Sequence, residues 1–425
     1  MKVLGIVVEY NPFHNGHMYH LERAKEIVEP DYTVAVMSGN FTQRGEPAIV
    51  DKFARTEIAL RCGVDLVVEL PFVYATQDAG GFALGAIGVF HKMKLVTDIV
   101  FGSESADEEF IRTVAEILHD QPELFKDLMR KHLKEGHSFP NARKYALMDY
   151  VERTGILDKE RIRNIEKSND ILGIEYVRSI LRYRSKIEFH TVKRIGAEYT
   201  DESFKGRYSS ATAIRKLIRD GKWNEVKEAV PRWSFEVLRR EIESGRGPVF
   251  WEDLEMVYLS RFRLMGRKDF ERIHGFNEGL DVRFERCSRS SGSLKEFVEC
   301  VKAKRFTFSR IRRLALHSFF DVSKDLIERS NDEGPQYIRV LGFNERGREL
   351  LSKVKKVSEI PIISTPSLYR KILEELDEDQ HVVDERLYLD QFELDVKATN
   401  VHSLFFKSDD QRRGERDFKM KVVIV

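Results

Sequence analysis

Residues 3–17 read VLGIVVEYNPFHNGH, and this stretch decides the fold. Val3, Leu4, Ile6, Val7 and Val8 crowd one short run without polar alternation, which predicts a strand over residues 3–9 buried on both faces. The run passes straight into Tyr10-Asn11-Pro12-Phe13-His14-Asn15-Gly16-His17. Residues 19–28 follow, with Leu21, Ala24, Ile27 and Val28 at helical spacing. An H-x-G-H motif therefore stands between a buried strand and a helix. Outward from it, residues 33–38 (TVAVMS), 66–69 (LVVE) and 98–101 (DIVF) predict three more short strands. Residues 52–60 and the small-residue stretch 79–90 lie between them, the former at helical spacing. Such alternation requires a parallel sheet with helices on both faces.

Beyond Gly102 the pattern is largely helical through residues 111–134 and 140–150. A last strand, KIEFHTV at residues 186–192, precedes a helix over residues 212–219. From residue 222 onward the period is mostly helical. The expected organisation is an α/β domain over residues 1–221, followed by a mainly α-helical C-terminal domain over residues 222–425. The closing MKVVIV reads equally as a terminal strand or a disordered end.

The chain of 425 residues carries 71 basic and 70 acidic side chains, a formal net charge of +1. That balance excludes a uniform polycation and an acidic disordered tail, while 42% hydrophobic residues suffice for a sizeable core. Cys62, Cys287 and Cys300 show no C-x-x-C spacing, which argues against a disulfide framework or zinc site and for buried apolar thiols. No stretch approaches the ~18 apolar residues of a membrane span, and the N-terminus lacks a secretory cleavage pattern. The expected location is the cytoplasm.

The H-x-G-H motif carries the chemistry. Gly16 lacks a Cβ, so a flat ring or a phosphate can approach its backbone. The helix that begins near it points unsatisfied N–H groups and its positive end into the same space. His14 and His17 can then donate to phosphate oxygens and stabilise charge on a departing pyrophosphate. A histidine pair in a loop is often incidental, but the carboxyl edge of a parallel sheet is where such folds bind ligands. A second element, Tyr208-Ser209-Ser210-Ala211-Thr212-Ala213-Ile214-Arg215, opens a helix with hydroxyls and sets a guanidinium one turn on. Ser210, Thr212 and Arg215 would complete a triphosphate cradle. Alone, the same segment would read as an N-cap and a surface arginine.

Together the two motifs resemble the nucleotidyltransferase superfamily that includes class I aminoacyl-tRNA synthetases, without a K-M-S-K-S-like loop. Where most members read I-S-S-T-x-I-R, this chain has Ala211 at the second serine, with Ser209 as the one candidate replacement hydroxyl. Longer blocks resemble the tRNA(Met) cytidine acetate ligases. They are GIVVEYNPFHNGH, MSGNFTQRGEPAIVDKFAR from residue 37, ELPF from 69, SNDILGIEY from 168, KRIGAEY from 193 and SATAIRK from 210. KRFTFSRIRRL, YIRVLGF and ELDVKAT extend the similarity through the second half.

The resemblance implies a Rossmann-like nucleotidyltransferase domain and a two-step reaction. Acetate attacks the α-phosphate of ATP to give acetyl-adenylate and pyrophosphate. The exocyclic amine of the wobble cytidine in elongator tRNA(Met) then takes the acetyl group. By similarity Val7, Val8, Glu9, Tyr10, Asn11, Pro12, Phe13, His14, Asn15, Gly16, His17 and His20 wrap the ATP, with Gly102, Asn169 and Arg194 as further contacts. His14 and His17 are the catalytic pair, and no covalent nucleophile is required. Magnesium is expected to arrive with ATP, and no dedicated carboxylate cage is visible.

RNA binding has its own signal. Residues 282–317 contain ten Lys or Arg against three Glu, a formal +7. Lys302, Lys304, Arg305, Arg310, Arg312 and Arg313 interleave with Phe306 and Phe308, pairing cations for the backbone with rings for stacking. Arg44 and the segment 52–55 are a second candidate contact. Two other readings are a small-molecule adenylyltransferase and a non-catalytic, nucleotide-sensing RNA-binding protein. Against the first stands a second half of ~200 residues that such chemistry does not need.

Overall fold

In a computed structural model, described over residues 1–158, 160–195, 203–303, 305–376 and 382–425, the first strand sits at the centre of an eight-stranded sheet. The elements used below are β1 (Val3–Val8), α1 (Asn15–Val28), β2 (Tyr32–Ser38), α2 (Lys52–Arg61), β3 (Leu66–Leu70), α3 (Ala79–Met93) and β4 (Asp98–Ser103). They continue with α4 (Ser168–Arg182), β5 (Glu188–Lys193), α5 (Ala211–Arg219), α6 (Leu280–Ser290), α7 (Leu294–Val301) and α8 (Phe308–Phe320). Last come β6 (Ile338–Phe343), β7 (Ile362–Ile363), α9 (Glu385–Ser403) and β8 (Val423–Ile424).

The strand order is β5-β4-β1-β2-β3-β6-β7, with β8 also on β6. All pairings are parallel except β3 with β6. Alternate residues of each strand enter different apolar layers, as the pleat requires. Val3, Val34, Val68 and Ile99 join the layer that holds α3 and α4, whereas Leu4, Ile6, Ala35, Val67 and Val100 join the one that holds α1, α2 and α5. The uninterrupted apolar runs are thus explained by burial on both faces. β2 and β4 flank β1, so the chain direction across the sheet reverses there. A crevice opens at the carboxyl ends of β1 and β4.

The sheet crosses the expected boundary at residue 221. β6 lies in the second half of the chain yet pairs with β3, matching Val68 to Val340 and Glu69 to Arg339. The physical reason is the exposed edge that β3 would otherwise present. Lys52 Nζ forms ion pairs with Glu69 (2.8 Å) and Asp417 (3.0 Å), and Arg339 pairs with the same two carboxylates at 3.3 and 2.8 Å, all four side chains being buried. The two halves therefore share one core. The closing residues form a strand, β8.

Two further sequence expectations change. Cys287 and Cys300 form a disulfide between α6 and α7, where consecutive helices bring them face to face; only Cys62 is a buried free thiol. Lys52 and Arg55 are fully buried and cannot meet RNA. Arg55 instead donates to the carbonyls of Glu9 (2.7 Å), Ser38 (3.0 Å) and Gly39, gathering the ends of β1 and β2. Among the described residues no helix is long and apolar enough to cross a membrane.

Candidate nucleotide site

The site begins where β1 ends. His14 caps α1 in extended geometry (φ −131°, ψ 173°), and its Nδ1 accepts from the His17 N–H at 3.3 Å. His17 Nδ1 reciprocates, accepting from the His14 N–H at 3.2 Å. The rings stack at 3.6 Å between centroids. With both Nδ1 atoms accepting, the proton of each neutral ring sits on Nε2. Burial, followed by the charges of Arg194 and Arg215, pulls His14 down to about 3. Burial and then His14 hold His17 well below its usual range, and His20 falls to about 4 by burial and then Arg194. The pair therefore offers neutral N–H donors at neutral pH. Gly16 has a reason that is not visible in sequence: a Cβ there would stand 2.9 Å from the His14 ring.

A cavity of about 240 Å³ opens at this edge. It is lined by Val7, Val8, Glu9, Tyr10, His14, His17, His20, Asn169 and Arg194, joined by Gln43, Arg44, Ala79, Phe82, Ser168, Leu172 and Tyr176. A smaller cavity of about 100 Å³ shares His14, His17, His20 and Arg194 and reaches Gly16, Tyr208, Ser209, Ser210 and Ala211. The two motifs, far apart in sequence, thus flank the same histidines.

Asn169 and Arg194 act as one unit: Arg194 Nη1 donates to Asn169 Oδ1 at 2.8 Å, and Asn169 Nδ2 donates to Glu104 Oε1 at 2.6 Å. Gly102 keeps this unit close, since a Cβ there would lie 3.2 Å from Arg194 Cγ. Asp170, not singled out in sequence, is buried and accepts from Ser103 Oγ and from the N–H groups of Glu104 (3.1 Å) and Ser105 (3.2 Å). Its signal was the S-N-D run that opens α4.

Other expected contacts lie beside the cavities with their side chains engaged elsewhere. Asn11 Oδ1 accepts from the Ile49 N–H at 2.8 Å, and Asn15 Nδ2 donates to the carbonyls of Arg207 (3.0 Å) and Glu228 (2.8 Å). Phe13 is fully buried, and Pro12 follows Asn11 through a cis peptide. Ser210 Oγ caps α5 by accepting from Ala213 N–H at 3.0 Å. Arg215 donates from Nη1 to the Asn11 carbonyl at 2.9 Å and from Nη2 to Glu46 Oε2 at 3.1 Å and Thr212 Oγ1 at 3.4 Å. Ser209 Oγ donates to the Gly206 carbonyl at 2.8 Å, so its hydroxyl serves the preceding turn.

The basic segment divides. Arg312 pairs with Glu46, and Arg313 Nη1 donates to the Gln43 carbonyl at 3.4 Å, so α8 abuts the loop beside the site. Gly45 makes that approach possible, because at φ +75° a Cβ would stand 2.6 Å from the Arg312 carbonyl carbon. Arg310 donates to Asn277 Oδ1 and Arg305 to the Glu278 carbonyl at 3.1 Å. Lys302 Nζ donates to the Phe306 carbonyl at 2.8 Å. Phe306 is buried, whereas Phe308 is half exposed. Lys304 lies outside the described residues.

The neutral imidazoles of His14 and His17 and the Arg194 guanidinium line both cavities beside two helix starts, an arrangement whose donors suit phosphate oxygens. Among the described residues the two clusters of potential metal ligands, His132/Glu135/His137 and Asp98/Glu188/His190, lie outside these cavities.

The family described as HIGH Nucleotidyl Transferase matches residues 1–417. The tRNA(Met) cytidine acetate ligase of Thermotoga maritima is 59% identical over 418 residues, covering 98% of this chain and 99% of that protein. The Fervidobacterium nodosum protein of the same name is 56% identical over 429 residues, covering 100% and 99%. The solved structure of Thermotoga maritima TmcAL bound with α-thio ATP is similar at TM-score 0.96 and 58% identity, with each chain fully covered.

Proposed function

The chain belongs to the tRNA(Met) cytidine acetate ligases of the HIGH nucleotidyl transferase family, and from that premise we propose how its residues divide the work. It is an ATP-dependent ligase that joins acetate to the exocyclic amine of the wobble cytidine of elongator tRNA(Met).

In our reading ATP lies along the carboxyl ends of β1 and β4. One oxygen of acetate forms a bond to the α-phosphorus, and the bond from that phosphorus to the bridging oxygen breaks toward pyrophosphate. His14 and His17 donate Nε2–H to the departing phosphates, and Arg194 and Arg215 add fixed positive charge. Neutral imidazoles suit this role, because they stabilise an anion without giving up a proton. Gly102 and Asn169 hold the nucleoside end. Magnesium, when it accompanies ATP, neutralises phosphate charge.

The cytidine N4 then attacks the acetyl carbon, and AMP leaves. The RNA lies against α8 and the turns before it, through Arg305, Arg310, Arg312 and Arg313. We place this activity in the cytoplasm, where charged nucleotides and tRNA meet. The observation that carries the reading is the reciprocal cap, which fixes both imidazole tautomers at the carboxyl edge of β1.

The test is to incubate the protein with ATP and labelled acetate, with and without bulk tRNA. Label should reach an adenylate in both cases and RNA only when tRNA is present. Label in neither would overturn the reading.

A further inference from the structure

A larger cavity, about 670 Å³, lies directly beside the nucleotide site. Its walls come from the start of α3 (Asp78), the turn at residues 274–278, α8 (Arg310, Arg313, His317) and Phe139. Neighbouring residues line it and the 240 Å³ cavity. Asp78 is the chain neighbour of Ala79, which lines the nucleotide side, and Arg313 bonds the carbonyl of Gln43, which lines it too.

The chemistry of the walls is selective. Asp78 caps α3 with Oδ1, accepting from Gly81 N–H at 3.1 Å, and among the described residues Oδ2 has no hydrogen-bond partner. It is exposed to the cavity rather than buried. Arg310 and Arg313 line the same cavity. Phe139, 60% exposed, stands at the cavity as a large apolar ring available for stacking. A carboxylate beside guanidiniums and an aromatic ring matches a base that carries an amine donor next to ring-nitrogen and carbonyl acceptors. The volume falls within the range that holds a molecule of nucleotide size.

We propose that this cavity receives the acceptor cytidine, turned out of the RNA, and that Asp78 accepts hydrogen from its exocyclic amine while Arg313 faces its O2 and N3 edge. The inference rests on the ligase reading above. In the transfer step the N4–C bond forms, the bond from the acetyl carbon to the phosphate oxygen breaks, and AMP departs with the electron pair. The surplus amine proton passes to Asp78 Oδ2 and then to water. Turning a single base out of its stack costs a few kcal/mol, least in an anticodon loop, where no partner strand holds it.

The test separates the two half-reactions in Asp78→Asn and Arg313→Ala. Asp78→Asn retains the cap, since an amide oxygen also accepts from Gly81; Asp78→Ser is a second variant that caps without a carboxylate. In Asp78→Asn, acetate-dependent ATP–pyrophosphate exchange without RNA should stay within about twofold of wild type. Acetyl transfer to an anticodon stem–loop should fall about 100-fold in kcat for Asp78→Asn. Its KM for RNA should rise about tenfold in Arg313→Ala. Unchanged transfer in either variant overturns the assignment, as does a parallel fall in exchange in Asp78→Asn, which would make the cavity part of the adenylation site. Absence of exchange in the wild-type protein would instead sink the ligase reading itself.

Discussion

Arg215 Nη2 stands 3.1 Å from Glu46 Oε2, and the other oxygen of that carboxylate pairs with Arg312. An arginine of α5 and an arginine of α8 thus share one mostly buried acid. A charge-assisted hydrogen bond of this kind is worth about 1.5–3 kcal/mol. Glu46→Ala should therefore slow acetate-dependent pyrophosphate exchange and weaken tRNA binding together, each by about tenfold. Exchange kinetics and filter binding on the same preparation check this; an effect confined to one readout would mean the carboxylate does not couple the two sites.

The buried histidines make a pH prediction. His14, His20, His317 and His402 are held at about 3, 4, 3 and 4 respectively, in each case chiefly by burial. Depressed native values mean that the unfolded chain binds protons that the native state refuses. The histidines' contribution to stability is then complete above about pH 6.5 and is lost as pH falls towards 4, by up to about 1.4 kcal/mol per pH unit for each histidine. Urea unfolding at pH 7, 5 and 4 should show a steep decline. A flat profile would contradict the neutral, buried assignment.

Asp395 on α9 has the opposite sign. It accepts from Phe72 N–H at 2.7 Å and from Tyr337 Oη at 2.5 Å, and burial, then Glu69, pushes its carboxyl up to about 8. Between about pH 4 and pH 8 the native state keeps a proton that the unfolded chain has released, so stability declines with rising pH across that window. Asp395→Asn can still accept from Phe72 and donate to Tyr337. Its Tm should fall less than that of wild type between pH 6 and pH 8, and parallel curves would refute the assignment.

The Cys287–Cys300 bond closes a short loop, with 13 residues of sequence separation. On chain-entropy grounds such a loop is worth about 3 kcal/mol. A reductant should lower Tm in the wild-type protein and leave Cys300→Ser, already lowered, unchanged. Equal sensitivity of both proteins would show that the thiols are not joined.

Where the sequence was informative, local chemistry was decisive. β1 to β4 were legible because β-branched runs without alternation have few other uses, and H-x-G-H was legible because it follows one of them. β6 was hidden, since a six-residue run broken by Arg339 does not announce which sheet edge it will cover. Lys52 and Arg55 look like surface cations in sequence, yet their partners, Glu69, Asp417 and three carbonyls, are supplied by other parts of the fold. The disulfide escaped for the same reason, because helix packing rather than spacing brings the sulfurs together. In the site, the role of Glu46 depends on two arginines, one of them 266 residues away. No local pattern encodes such a meeting.

On the proposed mechanism His14 and His17, fixed as neutral donors, activate the acid on ATP before any RNA is engaged. Acetate-dependent exchange of labelled pyrophosphate into ATP, measured without RNA, tests it most directly. Wild type should exchange label only when acetate is present, and His14→Ala and His17→Ala should each lose about 100-fold or more while tRNA affinity is retained. Exchange that requires RNA, or that survives loss of either imidazole, would contradict the account.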